Sequence, residues 1–162
     1  MSNIQQVFQP HRFGPGETFV DLWHVYDGLS QTPYEPGIGI QCGDPDQYFV
    51  NACHVITPKA MRRHLNWQNS VKTQFISFYD NQADARREAQ RRRRMYTPGR
   101  GAVRIAHVRL SLGTNVWFFS RQEMLAMMRA VDDYGMDLVS CSGRTEWFVW
   151  GRVPDEYVVD TC

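Results

Sequence analysis

The stretch TQFISFYDN, residues 73–81, decides how the fold reads. Phe75, Ile76, Phe78 and Tyr79 are strand formers, and the run is too short for an ordinary helix. It reads as a buried strand with one hydroxyl, Ser77, inside it. The segment ADARREAQRRRRM, residues 83–95, follows directly. Its apolar positions before the closing methionine are Ala83, Ala85 and Ala89, which predicts a helix from about Gln82 to Met95 with a thin apolar stripe and an exposed basic face. Whether Ser77 fills the core or serves a site depends on what the rest of the chain brings to it.

At 162 residues the chain suits one domain with its own core. The 43% hydrophobic and 22% charged residues are those of a globular protein, and 13% aromatics point to an aromatic-rich core or pocket. No apolar run has the length of a membrane span, so no membrane partner is expected. The start MSNIQQVFQPHRFGPGETF lacks a basic stretch followed by an apolar one, so no signal peptide is expected; a cytoplasmic and a secreted-effector location both stay open. Cys42, Cys53, Cys141 and Cys162 form no C-x-x-C pair and have no histidine at metal spacing, which argues against a metal site. Their pairing stays open, with free thiols the plainer reading.

The net charge of +1 hides an uneven distribution. Twelve of the eighteen basic residues lie between Lys59 and Arg104, against three acids, Asp80, Asp84 and Glu88. Arg86, Arg87, Arg91, Arg92, Arg93 and Arg94 make the densest part. Such a run binds nucleic acid, serves as an address, or is simply solvated. Arginine near a helix C-terminus also suits the helix dipole.

Residues 1–18 are polar, carry Pro10, Gly14, Pro15 and Gly16, and read as an N-terminal arm; residues 19–162 read as a single domain. FVDLWHVYD, residues 19–27, reads as a central strand. A turn-rich connection with Pro33, Pro36, Gly37, Gly39 and Gly43 follows. Thr57-Pro58 predicts a helix start, with Met61, Leu65 and Gln68 on one face. In residues 102–111, Val103, Ile105, Val108 and Leu110 alternate with polar residues and slip near His107, as in a strand buried on one face. Ser120 and Glu123 fit a capping box before a helix whose stripe is Met124, Leu125, Met128 and Val131. A strand from about Glu146 to Val153 and a short last strand complete a β-α-β-α-β-α-β-β order, which predicts an α+β fold.

No glycine-rich phosphate loop and no G-x-S-x-G elbow is present. Three polar residues stand instead at or inside apolar strands far apart in sequence: His24 in LWHVY, Ser77 in FISF and Glu146 opening EWFVW. Singly, each has a plain reading: a satisfied core histidine, a serine bonded to neighbouring backbone, a glutamate facing water. Together, a carboxylate with hydroxyl and imidazole partners is a common catalytic arrangement.

The segments LWHVYDGLSQTPY, HLNWQNSVKTQFISFYDNQADARREA, VRIAHVRL and TEWFVWGRVP, spanning roughly Leu22 to Val159, resemble the ADP-ribosyltransferase fold, with a split antiparallel-rich β core and flanking helices. They look closest to an uncharacterised fungal domain of that fold. The resemblance implies NAD as substrate. It implies that His24 binds the adenosine ribose or phosphate end, that Ser77 braces the nicotinamide pocket, and that Glu146 bonds the nicotinamide ribose and stabilises an oxocarbenium-like transition state. Tyr34, Phe78, Tyr79 or Trp147 would stack on nicotinamide, and Gly37 and Gly39 would let the ligand approach the backbone.

The pattern departs from relatives in three places, the first being His24, since relatives with histidine there usually carry a tyrosine in the second motif, where Ser77 stands here. Relatives that modify arginine carry a second carboxylate two residues before the glutamate, and those acting on asparagine or cysteine often carry glutamine; Arg144 stands here. The hydroxyl after the serine is replaced by Phe78. Three readings follow: an NAD-dependent transferase or glycohydrolase, acting as a toxin or effector on a protein or nucleic-acid acceptor; a binding module that has lost catalysis; and a nucleic-acid binder using the arginine-rich helix.

Overall fold

The computed structural model describes residues 10–43, 73, 75–130 and 145–162. The elements in chain order are β1 (Phe19–Tyr26), β2 (Tyr34–Glu35), β3 (Gly39–Gln41), β4 (Phe75–Tyr79), α1 (Gln82–Arg94), β5 (Arg104–Ser111), β6 (Trp117–Ser120), α2 (Arg121–Ala130), β7 (Glu146–Trp150), β8 (Arg152–Pro154) and β9 (Val158–Thr161). The helix expected from Thr57-Pro58 through Gln68 lies outside the described residues, as do Cys53, Cys141, Arg144 and the side chains of Met128 and Val131.

Two sheets form, and every described pairing is antiparallel. The larger has the order β6-β7-β4-β1-β5-β9, the smaller β2-β3-β8. Expected α+β character is therefore present. Leu22, Ile76, Phe78, Val108, Leu110 and Val149 on one face of the large sheet pack with Ile40 and Val153 of the small one, so the main core lies between the sheets. On the opposite face Ala85 and Ala89 of α1 sit on Val25, Val103 and Ile105. The thin alanine stripe lets the helix come close to the sheet, as small side chains must.

Two expectations are corrected. The strand read from Glu146 to Val153 is two strands: Gly151 takes φ +86° and turns the chain from the large sheet into the small one. Residues 103–110 do not slip within the strand. Ala106, Val108 and Leu110 face the main core, while Val103 and Ile105 face α1, so the strand is buried on both sides. The pairing with β1 is regular from Phe19↔Ser111 to Tyr26↔Arg104, and a register shift at His107/Val108 occurs only toward β9. Residues before β1 lie on the domain body from His11 onward. His11 N–H donates to Phe118 O at 2.6 Å, and its ring bridges Glu17 and Glu123.

The capping box is present as read. Glu123 N–H donates to Ser120 Oγ and Ser120 N–H donates to Glu123 Oε1, each at 3.0 Å, and Met124 is buried beneath. Asn81 caps α1, its Oδ1 accepting from Ala83 N–H at 2.8 Å.

Candidate active site

Strand register decides which side chains share a face. In β4 and β7, Ser77 is opposite Phe148 and Tyr79 opposite Glu146. Residues two apart share a face, so Ser77, Tyr79, Glu146 and Phe148 point the same way, with Ser77 diagonal to Glu146. Trp23 is opposite Tyr79, so Trp23 and Val25 share that face. His24 alternates onto the other face, with Leu22, Phe78 and Trp147. The three candidates therefore occupy three neighbouring positions on adjoining strands, but not one surface.

His24 is tied into the fold. β1 and β4 meet at one bridge, Trp23↔Tyr79, and part beyond it. The His24 ring fills the opening. Its Nδ1 lies 2.8 Å from Ser77 O, and its Nε2 lies 2.6 Å from Thr32 O and 3.2 Å from Thr32 Oγ1. The ring is 4% exposed and leans on Phe78, with centroids 5.1 Å apart. Burial holds its pKa below the ordinary imidazole range, against the pull of the Ser77 and Thr32 carbonyls and with help from the charge of Arg92. A neutral ring carries a single N–H, which donates to one of the two carbonyls, Ser77 O or Thr32 O. His24 thus joins Ser77 through the serine's backbone, not its hydroxyl.

Glu146 is 8% exposed at the first position of β7. Both its chain neighbours are anchored to the N-terminal turn of α1. Thr145 Oγ1 donates to Asp84 Oδ2 at 2.6 Å, Asp80 N–H donates to Thr145 O at 2.8 Å, and Trp147 Nε1–H donates to Asp80 Oδ2 at 2.9 Å. These bonds anchor the strand on both sides of Glu146. Tyr79 faces it across the strands, and its pKa is pushed up to about 12 by burial, then by the negative charges of Glu88 and Glu146. Its hydroxyl stays a proton donor throughout the ordinary pH range. The sequence did not single out Thr145, Asp80 or Asp84. A weak local signal existed in Asp80-Asn81, a strand end followed by a cap, but its partners lie more than sixty positions away.

The remaining candidates are scattered. Tyr34 Oη donates to Asp155 Oδ1 at 2.5 Å, which raises its pKa. Phe78 is wholly buried in the main core. Trp147 stacks on Phe118 and meets the His11 ring edge-on. Gly39 has φ +105°, and a Cβ there would lie 2.0 Å from Val153 O, so its bareness serves the β3–β8 pairing. Gly37 has φ +82° with open space around it.

Four of the six arginines on α1 are engaged within the domain. Arg92 pairs with Asp27 at 3.1 Å and with Glu88 at 2.9 Å, Arg91 pairs with Glu88, Arg87 with Asp84, and Arg93 donates to Val103 O at 2.8 Å. Burial alone would raise the Glu88 pKa; the bonds from Arg91 and Arg92 outweigh it and lower it. Arg86 and Arg94 are exposed and meet no acid among the described residues. No group of metal-ligating side chains occurs among the described residues.

Comparison with known proteins agrees with this picture at the level of fold. A family model described as Domain of unknown function (DUF7587) matches residues 21–162. No curated protein matches the sequence. Solved structures that match include EcPltA, an ADP-ribosyltransferase toxin subunit, at TM-score 0.53 and 15% identity, over 91% of this chain and 76% of that one. At that identity the likeness concerns the fold alone.

Proposed function

The chain belongs to the DUF7587 family, and we propose that it cleaves the nicotinamide–ribose bond of NAD, transferring ADP-ribose to an acceptor or to water. The single observation carrying this is Glu146: a buried carboxylate at the first position of a central strand, diagonal to Ser77 and clamped on both sides. The likeness in fold to an ADP-ribosyltransferase toxin subunit supports the same reading.

The chemistry follows from charge. As nicotinamide departs with the bonding electron pair, positive charge grows on the ribose ring. A fixed carboxylate in a water-poor pocket stabilises that charge more in the transition state than in the ground state. Glu146 holds that role, Ser77 braces it, and Tyr79 remains a neutral donor beside it. His24 supports the site through the Ser77 backbone. This differs from a ribose-binding role, because its ring nitrogens already face Ser77 and Thr32.

The engagement of His24 also favours a second reading, a scaffold of this fold that binds a partner without turnover. The deciding experiment is nicotinamide release from NAD by the purified chain beside Glu146→Gln. Release by wild type and its loss in a variant of unchanged melting temperature supports the enzyme. No release and no NAD binding by calorimetry overturns it in favour of the scaffold.

A further inference from the structure

Helix α1 carries arginines that meet no acid among the described residues. Eight arginines lie between Arg86 and Arg104. The acids that meet them are Asp84, Glu88 and Asp27. Arg93 spends its hydrogen bond on a neutral carbonyl, and Arg86 and Arg94 meet no acid among the described residues. Arg86 and Arg93 are seven apart, two helical turns, and so lie along one face about 10 Å apart with Arg94 beside them.

Beside this row, Tyr96 is 92% exposed and Met95 51% exposed. An open depression of about 450 Å³ lies against them, lined by Arg93, Met95, Tyr96, Arg100 and Val103. The last carbonyls of α1 would repel an anion here, but Arg100 Nη1 covers them, donating to Arg92 O at 2.9 Å and Met95 O at 3.2 Å. The corner therefore presents arginines without an acidic partner among the described residues, a bare aromatic ring and a masked helix end.

We propose that this corner binds single-stranded nucleic acid, with Arg86, Arg93 and Arg94 on successive phosphates and a base stacked on Tyr96. The arginines supply the sequence-independent attraction to phosphate. Tyr96 selects single strands, because a ring needs an unstacked base face to rest on. An acidic peptide would satisfy the arginines but leave the ring without a role. The site is separate from Glu146 and stands whether or not NAD is cleaved.

The test is fluorescence anisotropy with short labelled oligouridine, oligothymidine and a DNA duplex of the same length, with polyglutamate as competitor. Three phosphate contacts predict a slope of log affinity against log salt of about −2. Arg86→Gln with Arg94→Gln reduces it in magnitude by roughly 1.4. Tyr96→Ala weakens single-strand binding about tenfold, and Tyr96→Phe does not. These side chains are exposed, so melting temperatures should not move. Tighter binding of the uridine than of the thymidine strand marks RNA as the ligand, and the reverse marks DNA. Equal binding of the duplex, equal displacement by polyglutamate, indifference to Tyr96→Ala, or no binding at all overturns the proposal.

Discussion

Nδ1 of His24 lies 2.8 Å from the carbonyl oxygen of Ser77, at the place where β1 and β4 have parted. A side chain thus supplies a bond that a regular ladder would take from backbone. His24→Ala removes the single ring N–H and leaves one buried carbonyl, Ser77 O or Thr32 O, short of a donor, at a cost of about 1–3 kcal/mol. Urea unfolding should show a loss in that range. An unchanged midpoint would mean that water replaces the ring.

The same residue sets a pH dependence. Its folded pKa is depressed by burial, below the ordinary 6.5. Above 6.5 both folded and unfolded chains hold the ring neutral, and its contribution is fully present. As pH falls from 6.5 toward the folded value, only the unfolded chain takes up the proton, and that contribution is lost. Melting temperature should therefore fall with acid through this window. His24→Asn should flatten that part of the profile relative to wild type, and parallel profiles would rule out the assignment.

Asp80 and Asp84 act on Glu146 through its neighbours. Asp80→Asn keeps an oxygen for the Trp147 indole, whereas Asp80→Ala does not. If the clamp positions the carboxylate, Asp80→Ala and Thr145→Val lower kcat for nicotinamide release about tenfold or more with little change in KM, and Asp80→Asn largely restores it. Equal damage by all three would indicate loss of folding rather than of position.

The capping box gives a sharper stability prediction. Ser120→Ala removes the acceptor for Glu123 N–H and should cost about 1 kcal/mol. Burial raises the Glu123 pKa, but the bonds from His11 and from the Ser120 and Arg12 backbone outweigh it and lower it. Its contribution is thus present above the ordinary 4.5 and lost as pH falls through the folded value. Thermal melts of Glu123→Gln should show a smaller acid loss than wild type below pH 4.5.

Gly37 and Gly39 separate conformation from crowding. Both have positive φ, but only Gly39 has backbone where a Cβ would go. Gly37→Ala should cost about 1 kcal/mol, and Gly39→Ala several times that through loss of the β3–β8 pairing. Comparable melting temperatures for the two variants would contradict this geometry.

Local signals in the sequence determined much of this protein. The strand Phe75–Tyr79 and the helix after it follow from residue type and period, which neighbours along the chain decide. The Ser120–Glu123 box spans one turn, so its two bonds are written in four residues. The candidates His24, Ser77 and Glu146 stood out because polar groups in apolar strands need partners. The partners themselves were beyond reach. Which face His24 takes depends on its register with Tyr79, fifty-five positions away, and a one-residue slip would reverse it. Gly151 reads as part of a strand until a second sheet exists to receive β8. Asp80 and Asp84 look like helix-start acids until β7 lies beside them. Composition and period act locally, while pairing is settled by the packing of segments distant in sequence, so only the tertiary structure brought these residues onto neighbouring strands.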